Sequence, residues 1–159
     1  MISSILVPND RIGVVNAKVR ERLETEGKVK VKIDGNAVIL DGEGFELFQV
    51  KNIVHAIGRG FSPQKAFRLL DSEQQLDILD LGELSERRRE VVKGRVIGRA
   101  GRTRELIEEF TGVSLSVYGN TISLIGTFEQ VKNAKEAVQM IIQGSMHSTV
   151  YRFLEHLKL

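Results

Sequence analysis

The chain carries one unit twice. Sliding the sequence past itself by 84 positions lays Gly35-Asn36 on Gly119-Asn120 and Gly42 on Gly126, with the apolar residues between them in step. Val29, Val31 and Ile33 fall on Val113, Leu115 and Val117, while Val38 and Leu40 fall on Ile122 and Leu124. Each set has the two-residue period of a half-buried strand. Gly-Asn suits a two-residue turn that needs positive φ, so each copy is expected to hold a β-hairpin. Leu47, Val50, Val54 and Ile57 then match Val131, Ala134, Val138 and Ile141 at helical spacing, closing each copy with a helix.

Upstream of each hairpin lies a helical stretch, Ala17 to Glu26 and Thr103 to Thr111, with Gly27 and Gly112 as stop signals. Candidate first strands precede them. Ile2 to Val7 is apolar and β-rich, and its equivalent is Leu76 to Leu81, whose Leu-Asp-Ile-Leu-Asp-Leu could also form a helix. The order strand, helix, helix, strand, strand, helix puts helices on one face of a small antiparallel sheet, an α+β arrangement. The expected domains are 1–72 and 73–144, followed by a C-terminal helix in 145–159. Copies of about 70 residues are marginal alone, so the two are expected to pack together. Ser62-Pro63 reads as an N-cap and first helical position. In the final segment Val150, Phe153, Leu154 and Leu157 form an apolar stripe, with Ser148 as the expected N-cap.

The second copy has a feature that the first lacks. Ile97-Gly98-Arg99-Ala100-Gly101-Arg102 is a glycine-framed turn that runs directly into a helix. Glycines let the main chain turn sharply and approach a ligand, and a helix start offers unpaired N–H groups and a positive dipole end. Between Glu86 and Arg104 there are eight basic residues against two acids, a net +6 in a chain that carries +2 overall. This asymmetry is the electrostatic footprint of a nucleic-acid contact. The whole reads as the grip of a KH domain on single-stranded RNA. The expected RNA-binding residues are Lys93, Arg95, Ile97, Gly98, Arg99, Ala100, Gly101, Arg102, Arg104 and Ile107. Ile97 and Ile107 could form an apolar floor for bases, although plain core packing is the favoured reading of both. The matching first-copy positions, Val14-Val15-Asn16-Ala17 or Gly13-Val14-Val15-Asn16, restore both glycines in neither register. That copy is therefore expected to be structural or protein-binding, with Lys28, Lys30 and Lys32 a solvated face.

Other function classes find little purchase. Without cysteine there is no disulfide framework and no thiolate metal site. No stretch of about 18 apolar residues exists, and Met1 to Val7 has no basic leader, so a cytoplasmic protein is expected. His55, His147 and His156 lack acidic partners at a motif spacing, so no enzyme activity, metal or cofactor is expected. A helix-turn-helix DNA-binding regulator, using the same basic helices in a duplex groove, is the alternative.

Val96 to Arg104, then Ser116-Val117-Tyr118-Gly119-Asn120, then Gly144 to Tyr151 closely resemble the archaeal two-KH ribosome-assembly family, counterpart of the eukaryotic partner of Nob-one. The likeness extends to Arg11 to Val15 and Ala56 to Pro63, nearly the whole chain. It implies tandem type I KH domains in a small-subunit biogenesis factor that binds the 3′ end of precursor 16S rRNA. It further implies work beside a PIN-domain endonuclease, an rRNA dimethyltransferase and the α subunit of initiation factor two. In that family the second domain keeps the Gly-x-x-Gly turn and the first has lost it, and Arg99-Ala100 is a small departure in the turn's middle.

Overall fold

The structure, a computed structural model, describes residues 1–157. The chain divides at Leu76 and Asp77 into two compact units. In the first, β1 (Ile2–Leu6) leads through a 3-10 turn (Ile12–Val14) to α1 (Ala17–Gly27), β2 (Lys30–Asp34), β3 (Ala37–Asp41) and α2 (Gly44–Gly58). α3 (Pro63–Ala66) then runs into a 3-10 turn (Phe67–Leu70). β4 (Gln74–Asp80), within which the division falls, leads into the second unit, which takes α4 (Glu86–Ile97), a 3-10 turn (Arg99–Gly101), α5 (Arg102–Thr111), β5 (Ser114–Tyr118) and β6 (Thr121–Thr127). It ends with α6 (Phe128–Ile142) and α7 (His147–Leu157). The architecture is α+β, with a three-stranded sheet in each unit ordered β1-β3-β2 and β4-β6-β5.

The duplication is visible atom by atom. Asp34 pairs with Ala37 and Tyr118 with Thr121, so Gly35-Asn36 and Gly119-Asn120 are both two-residue hairpin turns. In each, the glycine takes the positive φ, 63° and 53°. Leu115 and Val117, with Ile122 and Leu124 opposite, form one face of the second sheet, and the core fills from Val92, Val96, Ile107, Val131, Val138 and Ile141 behind it. β2 and β5 are edge strands, and both are closed by the same device. Glu24 accepts from the Val31 N–H and Glu108 from the Leu115 N–H, each at 3.0 Å and 84 residues apart.

The candidate first strand at Leu76 to Leu81 is borne out, since Gln74–Asp80 form β4 and the helical alternative falls away. Other expectations need correcting. The first copy has no full helix before α1, only the 3-10 turn, because ten residues (7–16) separate β1 from α1 whereas twenty-one (81–101) separate β4 from α5. Val7 N–H donates to Asn36 O as Leu81 N–H donates to Asn120 O. The strands are thus 74 residues apart while the hairpins are 84 apart, and the extra length is α4. Gly27 is not the stop signal of α1. It lies inside the helix, where a Cβ would stand 2.5 Å from Val50 Cγ2, and Lys28 takes the left-handed C-cap at φ 59°. Gly112, at φ 88°, does cap α5. Ser148 does not cap α7, which already begins at His147, and Met146 O accepts from the Thr149 and Val150 N–H groups. Ser62 caps α3 with Pro63 at its start, as expected.

Candidate nucleic-acid interface

α4 starts on Ser85, whose hydroxyl accepts from the Arg88 N–H, and buries Val92 and Val96. It ends where Gly98 N–H returns to Gly94 O at 2.8 Å and the chain leaves at φ 76°, ψ 172°, a conformation essentially confined to glycine. Space demands glycine as well, since a Cβ there would stand 2.2 Å from Thr103 Oγ1. Ala100 (φ 53°) and Gly101 (φ 75°) stay left-handed, and Gly101 N–H closes the turn on Gly98 O at 3.1 Å. α5 then begins with no side-chain cap. By contrast Asn16 caps α1, Ser85 caps α4 and Thr127 caps α6 in a capping box. The first amides of α5 therefore have no side-chain acceptor, at the positive end of the helix dipole.

Around this turn Arg99, Ala100 and Arg102 are exposed and Ile97 is 38% exposed. Arg102 reaches Glu105 only at 3.8 Å. Arg104 is half-buried, and its Nε is shielded from solvent with no hydrogen-bond partner among the described residues.

The other expected residues lie elsewhere. Ile107 has no exposed area and belongs to the core, so a base cannot touch it. Arg95 donates to Ile141 O at 3.2 Å and to Ser145 O, and Arg88 donates to Ile142 O. Ile141 O and Ile142 O lie at the end of α6, where cations are favoured, and Ser145 O lies in the segment beyond it. Arg89 donates to Leu84 O at 2.6 Å. Lys93 Nζ donates to Gly119 O at 3.0 Å and pairs with Glu90. Half of the basic cluster thus answers the protein's own carbonyls. Sequence offered no signal for this, because charge counts do not distinguish a cation facing a carbonyl from one facing solvent.

Two contacts from α7 were also hidden. Tyr151 Oη and Thr103 Oγ1 share a hydrogen bond of 2.8 Å, and His147 Nε2 lies 3.0 Å from Arg95 O. In the first unit the corresponding helix start is filled from within, as Asn16 Oδ1 accepts from the Val19 N–H at 3.0 Å. Arg11 is turned inward to Ile57 O and Phe61 O. His55 stays on the exposed side of α2, where desolvation, then Lys51 and Arg59, lower its pKa. No group of three or more His, Asp or Glu residues among those described could hold a metal ion, and no described helix is long and apolar enough to cross a membrane.

The eukaryotic type KH-domain family (KH-domain type I), in its PNO1 second-domain form, matches residues 75–158. A KH domain-containing protein of Methanocaldococcus jannaschii is 37% identical over 97% of this chain and 73% of its own length. The chain belongs to the PNO1-type KH family. Among its eukaryotic members, the pre-rRNA-processing protein PNO1 of Chaetomium thermophilum is 25% identical over 89% of this chain and 55% of its own length. The crystal structure of Dim2p from Pyrococcus horikoshii superposes with a TM-score of 0.91 at 38% identity, over 98% of this chain and 99% of that one. A structure of a complex of a/eIF2alpha, aDim2p and rRNA from the same organism matches equally well, TM-score 0.91 at 38% identity, over 99% of this chain and 94% of that one. PNO1-type membership removes the helix-turn-helix alternative, and local chemistry agrees. The outward residues of α5 include Glu105 and Glu109, which a recognition helix would press against duplex phosphates.

Proposed function

We propose that this protein is a single-stranded RNA-binding factor of small-subunit ribosome assembly, gripping the 3′ region of precursor 16S rRNA with the Gly98–Gly101 turn. The observation that carries the reading is the capless start of α5 directly behind a turn that only glycine can make, flanked by outward Arg99 and Arg102. Backbone amides and these arginines meet two or three successive phosphates, half-buried Arg104 adds a third cation, and Ile97 offers an apolar edge to a base. Lys93, Arg95 and Ile107 support the grip from behind. The protein acts by holding RNA without cleaving it. A PIN-domain endonuclease performs the cleavage, an rRNA dimethyltransferase works on the adjoining stem, and the α subunit of initiation factor two is a partner, all in the cytoplasm. The names of the relatives, a pre-rRNA-processing protein and a Dim2p solved with rRNA and a/eIF2alpha, support this assignment.

The test is a binding titration of a single-stranded RNA 12-mer carrying the 3′-terminal 16S sequence. Arg99→Asp with Ala100→Asp replaces a cation by two anions at the turn and is expected to weaken binding on the order of 100-fold with unchanged Tm. The control belongs at Gly13, which is exposed with open space around it, and not at Val15, which is buried. Gly13→Asp is expected to leave affinity within about twofold. Equal losses at the two sites would refute the division of labour between the units.

A further inference from the structure

We infer that α7 is a working part of the RNA grip, with Tyr151 and His147 as positioning residues that hold the two flanks of the Gly98–Gly101 turn. The inference rests on the RNA-binding reading of that turn. A turn with three positive φ values in four residues, two of them at glycine, has little of its own to fix its shape. Something outside it must.

The downstream flank is held through Thr103. That residue is 1% exposed, and its Oγ1 fills the space beneath Gly98 where a Cβ would otherwise go. The 2.8 Å bond to Tyr151 Oη fixes the hydroxyl, and with it the floor on which Gly98 rests. The upstream flank is held at Arg95, one turn before Gly98. A carbonyl oxygen can only accept, so His147 Nε2 carries the proton and donates to Arg95 O at 3.0 Å. The Arg95 guanidinium in turn donates to Ser145 O in the segment leading into α7. The His147 and Tyr151 rings stack at 5.8 Å between centroids and 9° between planes, so the two holds form one rigid piece. Both side chains come from consecutive turns of α7, and α7 itself is anchored by Val150 and Leu154, each 0% exposed. A turn fixed before RNA arrives loses less conformational freedom on binding, so the brace acts on affinity.

The experiment uses the full chain and the same RNA 12-mer, measured well below Tm. Tyr151→Phe removes one hydroxyl and keeps the ring stack. It is expected to weaken binding about fivefold, the scale of one hydrogen bond, and to speed amide hydrogen exchange at Arg99, Ala100 and Gly101. Thr103→Val is expected to do the same, Thr103→Ser to restore wild-type affinity, and Tyr151→Phe with Thr103→Val to lose no more than either alone. Affinity and exchange unchanged in Tyr151→Phe, with only Tm lowered, would overturn the brace and leave the grip standing. Wild-type protein that does not bind the 12-mer would instead overturn the reading of the turn itself, whatever Tyr151 does to exchange.

Discussion

At the residue scale, two neighbouring positions at the end of α1 separate the two reasons for a glycine. Gly27 has ordinary helical φ and is there because Val50 leaves no room, whereas Lys28 has the left-handed φ and is exposed. Sequence merges the two, since a glycine followed by lysine after an apolar-striped stretch reads as a stop signal at the glycine. Lys28→Gly is expected to stabilise by about 0.5–1 kcal/mol, the left-handed penalty less the added freedom of the unfolded chain. That raises Tm by about 1–4 °C for a chain of this size. Gly27→Ala, favoured by helix propensity, is expected to lower Tm, because Val50 is β-branched within α2 and cannot swing aside. The hairpin glycines were legible because there φ alone decides. A second residue-scale expectation concerns His55. Its pKa lies below the ordinary 6.5 through desolvation, then Lys51 and Arg59. The unfolded chain therefore binds the proton first, and stability falls as pH drops below about 6.5, levelling off beneath the folded value. His55→Gln is expected to remove that limb from urea midpoints measured between pH 5 and 7.

At the scale of elements, period and punctuation carried most of the fold. The strands and α2 and α6 stand where the alternating and helical apolar patterns put them, and Ser62 caps where Ser-Pro signals a start. What the pattern could not carry is the division of work within α4. Its arginines look alike in sequence, yet Arg95 is tied to Ile141 O and Ser145 O while Arg99, just beyond the helix, faces solvent. The difference arises from tertiary placement of the end of α6, which needs donors for its last carbonyls. The two kinds of arginine should part in measurement. Arg95→Gln is expected to cost about 1.5–3 kcal/mol, the worth of charge-assisted hydrogen bonds partly shielded from solvent, read as a lower urea midpoint. Arg99→Gln is expected to leave the midpoint unchanged and to weaken RNA binding severalfold. A midpoint lowered equally by both would contradict this division.

At the scale of the molecule, the two copies of the unit differ by one helix and one cap. The second copy carries α4 and leaves the start of α5 without a side-chain acceptor, while the first has only a 3-10 turn there and fills the matching helix start with Asn16. The copy proposed to bind stands out in the sequence by its glycine pair and its arginine density, but that density counts four cations, Arg88, Arg89, Lys93 and Arg95, that donate to the protein's own carbonyls. The salt dependence of RNA binding reads the true number of cations involved. For single strands the slope of log affinity against log salt is about −0.7 per neutralised phosphate. If Arg99, Arg102 and Arg104 are the phosphate-facing set, the slope for the short RNA is roughly −2; if all eight basic residues between Glu86 and Arg104 took part, it would be roughly −6. Arg102→Gln is expected to flatten it by about 0.7 and Lys93→Gln to leave it unchanged, because Lys93 already serves Gly119 O and Glu90. Lys28, Lys30 and Lys32 replaced together by glutamine should also leave it unchanged, as befits exposed residues of a copy whose own helix start is closed. A slope near −6 would require Arg88, Arg89 and Arg95 to abandon their carbonyl partners on binding, and then the arginines that hold α6 and those that hold RNA would be one set.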